Sequence, residues 1–336
     1  MKLKVKEYLQ IGRAQTFSAD WLLVIVAFLC GRFNVPQALL LTVILWFGHL
    51  LTFGHNSLLD ACTVATIGDL PYDAKDPNKK HFPLISGSIT LHSAKIIILS
   101  GLCILALSGI IFTWFFASNL PLALIAYFIY WVFGISYNEG LSKETPLSFI
   151  PITICFSGLA AWGWFLGHTT LDTIGLLYVL NVAFIQLFEI GVEGNLKELP
   201  AAGLVERRNW LNVLGGKYEN GKFKSSLGVF LYGFIVKALG LSFGWTIISM
   251  NFTFARGIWG ALLTPLIWYL FNKLISTRVY NRKNELINMS LMEIASIFFV
   301  IPILLDWITA SILMTSAIIY FFIMNLWLWK MPAPKV

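Results

Sequence analysis

Three carboxylates stand within eight residues in the stretch "IGDLPYDAKDPNKKHFPLISGSIT", residues 67–90: Asp69, Asp73 and Asp76, with Lys79, Lys80 and His81 directly behind them. Just upstream, Asn56 and Asp60 in "HNSLLD" are four apart, the spacing that puts two side chains on one face of a helix. Asp69, Asp73 and Asp76 repeat that spacing as i, i+4, i+7, although Pro71 argues against one unbroken helix through them. A second acidic stretch reads "FEIGVEGNLKELPAAG", in which Glu189 and Glu193 are four apart and Asn195 and Lys197 lie just beyond. Carboxylates this close repel one another unless they share cations. Oxygen-rich acidic clusters suit Mg²⁺, which keeps several waters and is usually held by one or two carboxylates plus substrate phosphates. Either cluster alone reads equally well as solvated loop charge. Two of them at the same end of a helical bundle point to a metal-bridged polyphosphate.

The elements that must position these residues are membrane spans. The chain has 336 residues, 57% hydrophobic and 12% charged, and its mean hydropathy is +0.75. A soluble domain carries about 25% charged residues. Apolar runs of the roughly 20 residues needed to cross a bilayer fall at approximately 18–34, 36–56, 93–116, 120–137, 147–167, 172–191, 227–250, 253–274, 288–305 and 308–329. Only Asp306 and Trp307 mark a turn between the last two, so nine spans remain possible if one of them lies along the interface. The apolar runs are uninterrupted over helix-length windows, which excludes barrel strands. The expected fold is an all-α polytopic bundle of nine to ten transmembrane helices around a central cavity, a single membrane-embedded domain over 1–336.

Charge orders the connections. Odd-to-even turns ("NVP", "ASNLP", "GHTTLD", "NF", "DW") lack Lys and Arg, and 21 of the 24 basic residues fall on even-to-odd connections and the termini. Only Arg32, Lys237 and Arg256 are left over. The positive-inside rule makes the basic side cytosolic, with both termini inside. The net charge of +7 is then topology, and nucleic acid is excluded as a partner. The basic N-terminus runs into a full span, so no cleavable signal peptide is expected. The four cysteines, Cys30, Cys62, Cys103 and Cys155, have no CxxC spacing and read as small hydrophobes rather than a disulfide or zinc site. Two long loops, 57–92 and 192–226, carry the acidic stretches and are expected to form a catalytic cap, since loops of this length are usually functional.

At these residues the chain resembles the UbiA-type intramembrane prenyltransferase family, an all-helical bundle with two Asp-rich motifs after its second and sixth helices. The first motif has the form NDxxDxxxD, followed by Arg-Pro-Leu and Ser-Gly. "DLPYDAKDPNKKHFPLISG" matches it with Asp69 and Asp73, then Pro83, Leu84, Ser86 and Gly87. Ala65 and Thr66 stand where the opening Asn-Asp would be, with Asn56 and Asp60 as displaced substitutes, and Phe82 replaces the Arg. Glu193, Asn195, Lys197 and Gly203 look like the remnant of the second motif, with Glu189 one turn upstream. "GRAQT" is similar to an Arg-x-x-Thr near the family's first span, giving Arg13, and "ISYNEGLSK" to its Tyr-Ser…Lys loop, giving Tyr137 and Lys143. The tenth span exceeds the family's usual nine.

The resemblance implies an Mg²⁺-dependent transfer of an isoprenyl group from a polyprenyl diphosphate to a lipophilic or aromatic acceptor, in contact with membrane lipid, through an allylic carbocation. Asp69, Asp73 and Glu193 would be catalytic. Asn56, Asp60, Asp69, Asp73, Asp76, Glu189, Glu193 and Asn195 would serve the metal, and Arg13, Lys79, Lys80, Tyr137, Lys143 and Lys197 the substrate. A dry, aromatic-lined chamber would protect the cation, each ring face contributing about 0.5–2 kcal/mol, and the Phe- and Trp-rich spans can supply it. The same fold could instead run a terpene cyclisation, in which the donor's own double bonds attack the cation. A transporter with acidic cation-binding loops is a reading from another class, disfavoured because the carboxylates gather at one face and mid-span charge is nearly limited to Lys237. The incomplete motifs also leave room for an inactive relative. Lys237 reads equally as a cavity-facing group or as the partner of a neighbouring helix. His49 and His55 read as structural hydrogen-bonding groups, and Arg256 and Asp306 as interfacial residues.

Overall fold

A computed structural model describes residues 4–66, 82–141, 145–202 and 209–330. A short helix α1 (Val5–Ile11) and a 3₁₀ turn (Ala14–Thr16) lead into α2 (Phe17–Gly31), α3 (Val35–Thr66), α4 (Leu91–Phe116) and α5 (Leu120–Ser136). A π-helical turn (Tyr137–Leu141) precedes α6 (Phe149–Gly167) and α7 (Thr173–Phe188). A second π-helical turn (Glu189–Gly194) carries α7 into α8 (Asn195–Ala202), followed by α9 (Trp210–Val213) and the strands β1 (Lys217–Glu219) and β2 (Lys222–Lys224). The chain ends with α10 (Leu227–Met250), α11 (Phe254–Ile275), β3 (Arg278–Val279), α12 (Arg282–Leu304) and α13 (Trp307–Trp329). Ten helices, α2 to α7 and α10 to α13, are long and apolar enough to cross a bilayer. Among the described residues the chain is a predominantly helical, multi-pass membrane protein.

Apolar runs this continuous would merge without stop signals, and single polar residues supply them. The side chains of Thr90, Asn119, Asp172, Ser226, Thr253 and Asn281 each accept a hydrogen bond from a backbone N–H in the first turn of the helix that follows. Between the last two spans Asp306 does the same, accepting from Ile308 and Thr309 at 3.0 Å. The N–H of Thr309 holds the Asp306 carboxyl below the usual carboxylate range. Ten spans result, because this cap opens a full-length α13.

Three helices form the centre. The membrane windows of α2, α6 and α12 are 67%, 67% and 72% buried, against 17% for α5 and 28% for α4 and α13. Helix α6 packs on α2 through Gly163 and Gly167, four apart on one face. A Cβ on Gly163 would stand 2.7 Å from the Val24 carbonyl oxygen, and one on Gly167 2.5 Å from that of Phe28. Small residues at this spacing let two membrane helices touch backbone to backbone, where van der Waals packing replaces the hydrophobic effect. Around this pair α7 packs against α6 and α10, and α12 against α2, α11 and α13.

Both stretches expected as loops begin as helix. Helix α3 runs on to Thr66, because "SLLDACTVAT" contains no breaker and Asn56 does not end it. Helix α7 continues through its π-helical turn to Ala202. Further along 192–226, β1 and β2 form a hairpin that sequence reading did not foresee, and β3 joins it in a small antiparallel sheet of order β1-β2-β3. Its hairpin turns at Asn220 and Gly221, with φ of 51° and 73°, the left-handed pair a tight two-residue turn needs. The β2–β3 pairing ties this segment to the connection between α11 and α12.

Gly163→Leu is expected to lower the midpoint of thermal unfolding in detergent, since overpacking of this kind costs about 1–3 kcal/mol. Gly48→Ala, whose added carbon would meet only the Leu105 side chain at 3.5 Å, is the comparison and leaves the midpoint in place.

Candidate functional site

The second acidic stretch lies inside the bundle. A π-helical turn is a rare distortion that re-aims side chains, often at functional sites, and here it presents Glu189 and Glu193. Its shape is held by named contacts. Gln186 donates to Glu189 Oε2 at 2.8 Å, and Tyr232 donates to the Leu187 carbonyl at 3.1 Å. The Asn195 amide donates to the Ile190 carbonyl at 2.9 Å and accepts the Trp210 N–H at 2.9 Å, while Asn209 donates to the Asn195 carbonyl at 2.7 Å. Asn195 therefore works as a clasp between the π turn and α9. Lys197 follows in α8, where Tyr280 donates to its carbonyl oxygen. Glu193 is 4% exposed, and its Oε1 has no hydrogen-bond partner among the described residues. A buried oxygen of this kind is one that an electropositive ligand would satisfy.

Opposite this turn, α10 contributes Lys237. Its ammonium is buried, donates to Ser296 Oγ at 3.2 Å and sits 4.0 Å from the centre of the Phe188 ring. Glu193 and Glu189 act on it electrostatically. Asp20 of α2 and Glu293 of α12 complete the set, Glu293 lying within the field of Glu189, Glu193 and Asp20. Mid-span charge is not limited to Lys237, contrary to what the sequence suggested, because Glu293 stands midway along α12, and Asp20 adds a carboxylate in the first turn of α2. Asp20 and Glu293 were missed because each is a single ionisable residue in an apolar window, "FSADWLLV" and "LMEIASIF". The available signal was charge at membrane depth, which is a functional pointer by default.

The first stretch is positioned by α3. Asp20 Oδ2 is 2.5 Å from His49 Nδ1, and His49 Nε2 is 3.0 Å from the Arg13 carbonyl. Arg13 itself has left-handed backbone (φ 49°), a guanidinium 5.5 Å from the Phe53 ring centre, and an Nε without a hydrogen-bond partner among the described residues. One turn along, Asn56 donates to Asn138 Oδ1 at 3.0 Å, and Asn138 donates to the Thr52 carbonyl at 3.3 Å. His55 Nε2 is 3.2 Å from Glu139. These contacts lock α3 to the π-helical turn after α5, the turn that Tyr137 opens. Both histidines are hydrogen-bonding groups, as expected from sequence. Phe82, where the resemblance would place Arg, is buried with Leu58, Leu84 and Ile89, so it anchors the chain's return to α4. Asp69, Asp73, Asp76, Lys79, Lys80 and Lys143 lie outside the described residues, as does the side chain of Asp60. Cys30, Cys103 and Cys155 are free thiols.

Among the described residues no three His, Cys, Asp or Glu side chains converge closely enough to hold an ion by themselves. The pair Glu189 and Glu193, with one unsatisfied buried oxygen, fits a divalent ion that completes its shell from waters and a ligand's phosphates.

No family model and no curated protein sequence matches the chain. Solved structures do, and they show its fold: the chain has the fold of UbiA-type prenyltransferases. It is similar to a digeranylgeranylglyceryl phosphate synthase with a TM-score of 0.59 at 17% identity, over 89% of this chain and 99% of that one. It is likewise similar to a UbiA homolog from Archaeoglobus fulgidus, with a TM-score of 0.58 at 13% identity for the structure bound to GPP and Mg²⁺. The structure of that homolog bound to DMAPP and Mg²⁺ gives 0.56 at 16% identity; these two matches cover 89% and 88% of this chain and 99% of each other chain.

Asn195→Ala removes the Trp210 acceptor and the Ile190 donor together, a loss of about 1–3 kcal/mol locally. Amide hydrogen exchange over Gly191–Gly194 and at Trp210 should accelerate by at least tenfold. Asn195→Asp keeps the acceptor and should retain most of the protection at Trp210.

Proposed function

We propose that the protein is an integral-membrane prenyltransferase that moves an isoprenyl group from a polyprenyl diphosphate to a lipophilic or aromatic acceptor with Mg²⁺. The observation that carries this reading is the partnerless Glu193 oxygen, buried beside Glu189 on a π-helical turn, in a fold shared with proteins solved with prenyl diphosphates and Mg²⁺. When bound, Mg²⁺ would neutralise the charge that develops on the diphosphate as it leaves. Glu189 and Glu193 would hold it from one side, and Asp69, Asp73 and Asp76, with Asn56 and Asp60 on the preceding helix, from the other. Arg13, Lys79, Lys80, Lys143 and Lys197 would meet the diphosphate, with Tyr137 beside them. Asn195 is assigned the clasp that sets the angle of the π turn. The apolar interior between the spans would exclude water from the allylic cation. The acidic stretches would face the cytosol of the cell membrane, with both termini on that side.

Purified protein in proteoliposomes should release diphosphate from geranylgeranyl diphosphate only with Mg²⁺ present, and EDTA should stop it. Glu193→Gln and Asp73→Asn should each lower turnover by about 100-fold or more, the scale of losing a group that stabilises developing charge. Turnover that survives both changes contradicts the site assignment.

One observation favours a second reading. Lys237 and Glu293, each about midway along its helix, are what a transporter would use. Cation flux through the same proteoliposomes, lost in Glu293→Gln while diphosphate release is absent throughout, would support that reading against the enzyme.

A further inference from the structure

The small sheet hangs from the ends of two spans, α10 and α11. Two residues separate β2 from Leu227, the first of α10, and two separate Ile275, the last of α11, from β3. At about 3.3 Å per extended residue, each strand starts within about 10 Å of the end of a span. Two hydrogen bonds fix it there: the Ser225 N–H donates to Thr277 Oγ1 at 2.9 Å, and the Tyr280 N–H to the Gly221 carbonyl at 2.9 Å. The antiparallel register sorts the side chains onto two faces. Tyr218, Phe223 and Arg278 share one face, and Phe223 is buried there. Arg278 is spent on that side, since its Nε donates to Glu285 Oε1 at 2.8 Å and its guanidinium to the Leu274 and Ser276 carbonyls at 2.7 Å. The opposite face carries Lys217, Glu219, Lys222, Lys224 and Val279, and its three lysines are exposed.

Lys217 stands directly opposite Lys224 in the register, and like charges so placed destabilise a strand pair. Glu219 answers one of them, accepting from Lys224 Nζ at 2.6 Å, so the face sets three lysines against one carboxylate. A further ammonium joins from the span itself. On α11, Leu262, Leu266, Tyr269 and Lys273 follow one helical stripe, and all four are exposed. Lys273 Nζ is 4.8 Å from the Tyr269 ring centre, the pairing of a snorkelling lysine and an aromatic ring that marks headgroup depth. Leu227, 72% exposed, opens a matching apolar stripe on α10 with Phe230 and Phe234. We propose that this end of α10 and α11 binds an anionic phospholipid, its headgroup phosphate met by Lys217, Lys222, Lys224 and Lys273 and its acyl chains lying on the exposed apolar stripes. The site is independent of the prenyltransferase reading. Charge complementarity supports it: excess ammonium on a braced sheet stands about one Debye length, about 8 Å at physiological ionic strength, from headgroups of opposite sign. A zwitterionic headgroup brings its own ammonium and gains little there.

The test titrates full-length protein in detergent micelles with dioleoylphosphatidylglycerol, dioleoylphosphatidylcholine or inorganic phosphate and counts bound molecules by native mass spectrometry. Wild type should bind the phosphatidylglycerol about tenfold or more tightly than the phosphatidylcholine. Lys217→Gln, Lys222→Gln and Lys273→Gln together should bring the two lipids within about twofold of each other. These changes spare the Lys224–Glu219 pair and remove the Lys217–Lys224 repulsion, so they do not threaten the sheet. The same three positions changed to Arg should keep the wild-type affinity within about threefold. A control of equal charge, Lys6→Gln with Lys95→Gln and Lys330→Gln, should leave the preference in place. Equal binding of the two lipids by wild type, a preference that survives the three Gln changes at the sheet, or one lost in the Arg variant each overturns the inference. An equal loss in the control overturns it as well, because diffuse surface charge then suffices. Displacement of the phosphatidylglycerol by inorganic phosphate would make this a free-phosphate site and overturn the lipid assignment.

Discussion

Charge inside an apolar bundle is the constraint on which the rest of this molecule depends. An ionisable side chain at the centre of a membrane helix costs about 2.5–3.5 kcal/mol on insertion scales. Asp20, Glu189, Glu193, Lys237 and Glu293 all lie within helices long and apolar enough to span. Three of them have partners among the described residues. Asp20 has His49, Glu189 has Gln186, and Lys237 has Ser296, the Phe188 ring and the opposing glutamates. Glu193 keeps one oxygen unsatisfied, and Glu293 has neither a hydrogen bond nor an ion pair among the described residues. Where partners end, a ligand's role begins.

Rigid packing sets the aim of these groups. Helix α2, which carries Asp20, is pressed against α6 at Gly163 and Gly167, and α12, which carries Glu293, packs against α2. The π turn holding Glu189 and Glu193 is braced by Asn195, Asn209 and Tyr232. On the other side the Asn56–Asn138 and His55–Glu139 contacts clamp α3 to the first π turn. Two π-helical turns thus stand at the ends of spans, each buttressed by polar side chains. Such turns cost regular hydrogen bonding and persist where they place a functional side chain.

The spans and their one-sided basic loops were legible in the sequence, because hydropathy and the placement of Lys and Arg act over long windows. Glu189 and Glu193 were legible from their spacing. Asp20 and Glu293 were not, since a lone acid in an apolar run carries no local pattern and its partners are distant in sequence. The apolar span was ended at residue 56 and the following stretch read as loop, whereas the helix α3 runs on to Thr66, with Asn56 on its surface as the i, i+4 spacing had suggested. The hairpin at Asn220 and Gly221 did have a local signature, overshadowed by the membrane character of its surroundings. The role of Phe82 as a buried anchor became visible only when Leu58 and Ile89 were seen around it.

The account's central claim is that Glu189 and Glu193 hold a divalent ion on a diphosphate inside the bundle. Anomalous scattering from crystals grown with Mn²⁺ and the unreactive thiolo analogue of geranylgeranyl diphosphate locates that ion directly. The expected result is a peak at bonding distance from Glu193 Oε1, about 2.1–2.2 Å, with a phosphate oxygen in the same coordination shell. A diphosphate seated elsewhere, or an occupied chamber in which neither glutamate touches the ion, would contradict it.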